Sequence, residues 1–198
     1  MDQFTSQINP ESQNQNNQNP KPKKGSFLLD WFETVAIAVV LFLVLNTVTS
    51  RVRVYNISME PTLQQGYLLV VNKLAYRVNP PGHGDIIVFH FQGNSNEDYI
   101  KRVIGLPGDT VTIDNGVVKV NGAPLTEPYL LQLPAYSGSW KVPEGKLFVL
   151  GDNRNNSSDS HQWGFVDMSW VVGKAVLIYW PIQEFRVLSH PELVSAHP

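Results

Sequence analysis

The sequence contains no cysteine, which excludes a thiol protease, a thiolate metal site and a disulfide framework. Charge is sparse and nearly balanced, with 15 basic and 17 acidic residues and a formal net charge of −2. Without a basic face, the chain has no electrostatic basis for binding nucleic acid. Its five histidines form no HExxH motif or other close metal-ligand spacing, so we expect neither a metal site nor a cofactor.

Apolar residues are almost absent from the first part of the chain, where Asn, Gln, Ser and Pro dominate. We predict that residues 1–26 are disordered, because such a segment cannot bury enough surface to offset its ordering entropy. The following segment, 27–48, is mostly apolar and long enough for a hydrocarbon core of ~30 Å. We predict a transmembrane anchor helix there. The alternative is a cleaved secretory signal, which the exit at 46–50 suits poorly because it lacks an Ala-x-Ala site.

The charges that flank this segment indicate its orientation. Lys21, Lys23 and Lys24 precede it, and Arg51 and Arg53 follow it. The excess of positive charge before the segment favours a cytoplasmic N-terminus. The rest of the chain is then expected on the extracytoplasmic side, periplasmic or lumenal, with the apolar segment held in the lipid bilayer.

After residue 50 the hydrophobic period becomes that of strands, and no long amphipathic helix is predicted. Short apolar runs bounded by Gly, Pro and Asn predict strands at 67–71, 85–89, 147–150 and 171–180. The runs 110–113 and 117–120 flank Asp114-Asn115-Gly116, which is a strong hairpin signal. We therefore predict a mainly β protein with a β-rich domain over residues 51–181. Residues 121–146 are interpreted as a Pro- and Gly-rich insertion, and 182–198 as a C-terminal tail.

One serine lies in an unusual setting, in Ser58-Met59-Glu60-Pro61-Thr62-Leu63, about ten residues after the apolar segment. A hydroxyl is a poor nucleophile at neutral pH and needs a general base within hydrogen-bond reach. Ser, Pro and Thr also favour turns, so this segment alone is more readily interpreted as a turn before a strand.

A lysine is the main candidate for that base. Lys101 can accept a proton only when neutral, and at the ordinary pKa of ~10.4 only about one lysine in 2,500 is neutral at pH 7. Burial lowers the pKa of a lysine, and Lys101 lies in a predicted strand with Val103 on its own face and Ile100 on the other. The alternative is an exposed lysine on a half-buried strand.

Other bases fit less well. The G-x-S-x-G motif is absent, and neither His83 nor His90 lies in a motif with an acid that would orient its ring. His161 remains a minor candidate. It ends a polar loop at 151–161 that is longer than an ordinary turn of about 2–5 residues. This loop is either a long solvated connection or a source of groups that orient the base.

Taken together, these segments resemble bacterial type I signal peptidases. The resemblance rests on four motifs in the family's order, at 58–63, 84–89, 99–109 and 151–166. It implies a signal-peptidase-like all-β catalytic domain with one N-terminal transmembrane helix. The implied activity is that of a membrane-bound serine endopeptidase, which removes N-terminal signal peptides with small residues at positions one and three before the cut.

The resemblance also implies roles for particular residues. Ser58 would attack the scissile carbonyl and neutral Lys101 would take its proton. Ser157 matches a serine that hydrogen-bonds the lysine, and Asp159 matches a nearby structural acid. Arg102 matches an arginine that pairs with that acid.

Three positions depart from the family pattern. The oxyanion is expected to be held by the backbone N–H of the nucleophile and by a side chain two residues earlier, commonly Ser but here Asn56. An Asn side chain can also donate to an oxyanion. Asn155 replaces an Asp, and His161 replaces an Arg beside the acid. The substrate pockets are expected near the nucleophile and along the strand at 85–91.

Two other functions remain as alternatives. One is a related Ser/Lys hydrolase such as a self-cleaving repressor, against which the apolar segment and the lack of a DNA-binding helix argue. The other is a non-enzymatic, membrane-anchored β-domain that has lost activity, against which the presence of both Ser58 and Lys101 argues.

Overall fold

A computed structural model describes residues 26–91 and 97–188 of the chain. The predicted disordered segment, 1–26, lies outside these residues except for Ser26, and so does the tail at 189–198. The chain divides into two compact units, 1–41 and 42–198. The boundary falls inside helix α1 (Ser26–Val48), and the β domain belongs entirely to the second unit.

Helix α1 confirms the predicted N-terminal apolar helix. Its 23 residues extend roughly 34 Å at 1.5 Å per residue. The stretch Leu29–Val48 has a mean hydropathy of 2.0, and among the described residues only this helix is long and apolar enough to cross a membrane. Its side chains from 29 to 47 are exposed on every side, which is the pattern of a helix that needs an apolar environment.

The rest of the described chain is mainly β, as predicted, with twelve strands that pair antiparallel throughout. The strands are β1 (Thr49–Arg53), β2 (Leu68–Asn72), β3 (Ile86–His90), β4 (Asp98–Gly105), β5 (Thr110–Asp114), β6 (Val117–Val120), β7 (Ala123–Pro124), β8 (Gly138–Lys141), β9 (Lys146–Leu150), β10 (Val166–Asp167), β11 (Val171–Trp180) and β12 (Arg186–Val187). The short helices α2 (Ala75–Val78) and α3 (Ser160–Trp163) and three 3-10 turns (Arg154–Asn156, Met168–Trp170, Ile182–Glu184) connect them.

Eight strands form the larger sheet, in the order β1-β2-β11-β3-β4-β9-β10, with β12 paired to β11. β4 lies between β3 and β9 and is buried from Lys101 to Gly105. The adjoining strands are rich in Ile, Val, Leu and Phe and are themselves largely buried, so β4 lies at the centre of a buried part of the sheet. A lysine in this strand therefore enters the protein interior.

The smaller sheet has the order β7-β6-β5-β8. The predicted hairpin forms its centre: Asp114 pairs with Val117, and the turn residues Asn115 and Gly116 have φ of 48° and 78°. Positive φ at both positions is what a two-residue turn of this kind requires, and Asn-Gly accepts it most readily. The segment interpreted as an insertion contributes β7 and β8 to this sheet, so it is part of the folded domain.

The predicted tail also returns to the domain. β12 pairs with β11, the next residue, Leu188, is buried in the core, and Arg186 donates a hydrogen bond of 2.7 Å to the carbonyl of Thr62. The C-terminal side of the described chain therefore packs against the segment that follows the candidate nucleophile.

Candidate active site

Ser58 lies in a turn between β1 and β2 whose neighbours anchor it in the core. Met59 and Leu63 are 1% and 0% exposed and pack in a cluster with Leu69 and Ile178. Burial of two such side chains contributes about 1.5–3 kcal/mol each. The turn itself is closed by a hydrogen bond of 2.8 Å from the Leu63 N–H to the Met59 carbonyl. Ser58 is thereby held at the surface by buried residues on its C-terminal side.

Lys101 reaches this serine from β4, where it pairs with Ile87 of β3. Its side-chain amine, Nζ, lies 2.8 Å from Ser58 Oγ, and the residue is only 4% exposed. Burial lowers the pKa of the Lys101 amine to about 8, while the negative charges of Asp159 and Asp152 act in the opposite direction. The exposed lysine considered above is therefore not what the structure shows. The two residues form a close pair, in which a buried amine faces a hydroxyl.

The polar loop after β9 holds the segment around Ser58 in place. The Asn153 N–H donates to the Ser58 carbonyl at 3.0 Å, and its side-chain amide donates to the Ile57 carbonyl at 3.2 Å. Gly151 packs closely between the polar loop and the Ser58 segment. A Cβ there would collide with Ser157 Oγ and the Ser58 carbonyl oxygen. The loop at 151–161 is therefore a support for the site, and the alternative of a purely solvated loop is wrong.

Arg102 does not pair with Asp159, contrary to the role that the resemblance implied. Its guanidinium donates to both carboxylate oxygens of Asp152, at 2.8 and 2.6 Å, and stacks over the ring of Tyr129 at 3.9 Å. Thr62 donates to the same carboxylate at 2.5 Å. Consecutive residues in a strand point to opposite faces, so Arg102 is directed away from the side of Lys101. Through Thr62, this buried ion pair connects β4 with the turn that contains Ser58.

Asp159 is completely buried and is paired with the residue that departs from the family pattern. Its carboxylate accepts from the Gly151 N–H at 2.9 Å and lies 2.6 Å from His161 Nδ1. The His161 ring stacks on Tyr136 with centroids 3.9 Å apart. His161 therefore contacts the acid, while Lys101 is the group that contacts Ser58. The acid in turn raises the pKa of Lys101 through its charge.

For Ser157 and Asn56, the described residues show none of the hydrogen bonds that the resemblance implies. Ser157 is 5% exposed and its Oγ has no hydrogen-bond partner among the described residues, so the expected bond to Lys101 is absent. Asn56 is exposed at the wall of the groove beside Ser58. Its role as an oxyanion donor stays a prediction.

The third departure, Asn155, has a structural explanation. Its side-chain oxygen accepts from the Ala135 N–H at 2.8 Å, and its side-chain nitrogen donates to the Leu133 carbonyl at 3.0 Å. An aspartate could accept the first bond but could not donate the second. Asn155 thus connects the polar loop with the segment before β8.

A groove of about 300 Å³ opens at Ser58 and Lys101. Its walls are the segment 53–59 on one side and 98–101 on the other, with Asn156 and Ser158 beside them. No residue from 85 to 91 lines this groove, so the substrate pockets expected along that strand stay a prediction.

Sequence reasoning missed several residues that support the site. Arg154 is buried, donates to the Gly151 carbonyl at 3.0 Å and binds both carboxylate oxygens of Glu127, at 2.9 and 2.5 Å. Asp152 was also missed as the partner of Arg102. Both Asp152 and Arg154 stand in the Gly-Asp-Asn-Arg motif, so charged residues directly after a buried strand were the available signal. In the described part of the chain, no group of His, Asp or Glu side chains could hold a metal ion.

Residues 28–180 match the family described as signal peptidase, peptidase S26. The chain is 45% identical over 180 residues to a signal peptidase I of Leptolyngbya laminosa, which covers 86% of this chain and 89% of that protein. It is 44% identical over 170 residues to a signal peptidase I of Bacillus caldolyticus, with 78% and 91% covered. A crystal structure of a signal peptidase I from Enterococcus faecalis V583 is 34% identical and covers 48% of this chain and 97% of that chain, with a TM-score of 0.44.

Proposed function

The chain belongs to the signal peptidase family, peptidase S26, and from this membership we propose that it removes N-terminal signal peptides from exported preproteins. We propose further that it does so as a membrane-anchored serine endopeptidase in which Ser58 is the nucleophile and Lys101 the general base. No cofactor takes part in this mechanism.

The contact of 2.8 Å between Lys101 Nζ and Ser58 Oγ is the observation that carries the proposal. A pKa of about 8 leaves roughly one Lys101 amine in ten neutral at pH 7, a few hundredfold more than at its ordinary pKa. A neutral amine presents a lone pair to the hydroxyl hydrogen. The buried lysine is therefore suited to the role of general base, which a solvated lysine is not.

The reaction then proceeds in two stages. Ser58 Oγ forms a bond with the scissile carbonyl carbon as its proton passes to Lys101 Nζ. The protonated lysine gives this proton to the leaving amine when the C–N bond breaks, and the signal peptide stays on Ser58 as an ester. Neutral Lys101 next deprotonates a water, which attacks the ester. Ser58 recovers its proton from the lysine, and the signal peptide leaves as a carboxylate.

The negative charge on the carbonyl oxygen needs donors during both stages. We assign these to the backbone N–H of Ser58 and the side-chain amide of Asn56, because Asn56 lines the same groove. Asn56→Ala is expected to lower kcat by about 10²-fold with little change in KM. Asn79→Ala is the control, because it also removes an exposed side-chain amide, but from a residue that does not line the groove. A loss below about threefold would remove Asn56 from the mechanism.

Helix α1 supports membrane anchoring by its length and apolar surface. β1 begins at the residue after α1, and its Thr49 pairs with Asn72 of β2. Because the strand follows the helix directly, no unpaired segment separates the two in which a cleavage site could lie. This favours a retained anchor over a cleaved signal. Lys21, Lys23 and Lys24 before the helix support a cytoplasmic N-terminus and an extracytoplasmic catalytic domain. The preproteins are expected to carry small residues at positions one and three before the cut.

Cleavage of a preprotein with an Ala-x-Ala site by the detergent-solubilised full chain tests this proposal. Ser58→Ala and Lys101→Met should abolish a cut directly after the site, as identified by mass spectrometry. Lys119→Met, a lysine of the smaller sheet, should cleave like the wild type. Cleavage that survives Lys101→Met would show that another base acts. A folded wild-type chain that cleaves nothing would contradict the proposed activity itself.

A further inference from the structure

A second cavity, of about 540 Å³, is lined by residues that follow β2 and by residues that precede β11. It opens between the connection that follows β2, with Lys73 and Arg77, and the turn before β11, with Ser169. The Lys73 N–H donates a hydrogen bond of 2.9 Å to the carbonyl of Val48, the last residue of α1. One backbone hydrogen bond therefore connects this cavity to the end of the candidate membrane span.

The cavity carries uncompensated positive charge. Lys73 and Arg77 are exposed and form no ion pair with any described residue. The acids beside the cavity are already engaged. Asp85 is paired with Lys174 at 2.9 Å and accepts from Tyr76, which lines the cavity.

A second acid, which precedes the lining residues Met168 and Ser169 in the sequence, is engaged in the same way. Asp167 is paired with Lys146 at 3.3 Å and accepts from the hydroxyl of Ser169 at 2.6 Å. These carboxylates therefore neutralise their own partners and leave the charges of Lys73 and Arg77 available. Two cations without an ion-pair partner among the described residues therefore line one cavity, although the net charge of the chain is −2.

We propose that this cavity binds the phosphate of an anionic phospholipid headgroup, with Lys73 and Arg77 as its contacts. The inference rests on the membrane anchoring proposed above. When α1 spans the bilayer, its last residue lies at the headgroup level, and Lys73 lies there with it. The planar guanidinium of Arg77 can bind two phosphate oxygens, and the ammonium of Lys73 adds a point charge. Leu74, which lies between them in the sequence, is 36% exposed.

A lipid fits this site better than free phosphate because of concentration. An anchored protein meets headgroups as an almost intramolecular partner, so that two exposed cations suffice to select an anionic lipid. Each such cation near a negatively charged membrane surface is worth about a fivefold preference, and both together about thirtyfold. Free phosphate in dilute solution has no such advantage.

Backbone amide hydrogen exchange tests the proposal on the full chain, reconstituted in vesicles. Phosphatidylcholine vesicles are compared with vesicles that contain about 30% phosphatidylglycerol. Exchange over residues 73–78 should slow severalfold in the second vesicles only. Lys73→Gln with Arg77→Gln should abolish the difference. The control, Lys119→Gln with Lys141→Gln, removes the same charge from the smaller sheet and should retain it.

Equal exchange in both kinds of vesicle, or slower exchange that persists in the Lys73/Arg77 double variant, would overturn the proposal. So would inorganic phosphate that slows exchange equally in pure phosphatidylcholine, because the site would then select a free anion. Vesicle flotation and preprotein cleavage in pure phosphatidylcholine separate this inference from the proposed function. A chain that floats and cleaves without a lipid effect refutes the headgroup site alone, whereas a chain that does not float refutes the anchor and the site together.

Discussion

Replacement of Lys101 by methionine is expected to stabilise the β domain at neutral pH while it abolishes cleavage. The amine is buried and its pKa is lowered to about 8 from the ordinary 10.5. Between these two values the unfolded chain binds more protons than the folded chain, so the free energy of unfolding rises as the pH rises through this window. Below pH 8 the wild type carries the whole penalty of a buried charge. Methionine fills a similar volume and carries no charge.

The difference between the two pKa values sets the size of the stability change. It corresponds to about 3 kcal/mol of stability lost by the wild type at pH 7, of which about 1 kcal/mol remains at pH 10. Lys101→Met should therefore be more stable than the wild type by up to this amount at pH 7, and the gap should narrow by about 2 kcal/mol at pH 10.

Urea unfolding of the detergent-solubilised full chain, followed by the fluorescence of its five tryptophans, measures both values. The comparison between variants at each pH cancels every other group that titrates in the same range. Lys119→Met is the matched control and should show no such pH-dependent gap. If the gap between Lys101→Met and the wild type is the same at pH 7 and pH 10, Lys101 is not the buried, protonatable base of this mechanism.

Three further outcomes are expected. In the free enzyme, kcat/KM should rise with pH and level off above about pH 8 as Lys101 loses its proton, and a flat pH profile would exclude it as the base. Gly151→Ala should lower both stability and kcat, because its Cβ would collide with the carbonyl of Ser58, whereas Gly82→Ala, with no atom within 4 Å of the added carbon, should match the wild type in both assays. Asp152→Asn should destabilise the fold by about 3–5 kcal/mol in urea unfolding because Arg102 loses its buried partner, and a change below 1 kcal/mol would contradict the assigned ion pair.

Local pattern was sufficient for most of the architecture. Helix α1 follows from its uninterrupted apolar composition, and the hairpin of β5 and β6 follows from Asn115-Gly116 between two apolar runs. Strands as long and apolar as β11 were also predictable. β7 and β8 were not, because two- and four-residue strands carry too little periodicity to distinguish them from loops. They form only because the β5–β6 hairpin offers them a partner.

The sequence by itself determined which residues are candidates for the chemistry: Ser58 and Lys101 stand in recognisable motifs, while the alternation of β4 left open whether the lysine is buried or exposed. Only the tertiary structure decided their partners. It joined Lys101 to Ser58 at 2.8 Å, paired Arg102 with Asp152 in place of Asp159, and set Lys73 against the end of α1. A strand pattern tells which face a side chain takes, but not which of several acids distant in sequence lies opposite. That choice depends on how the strands pair and pack.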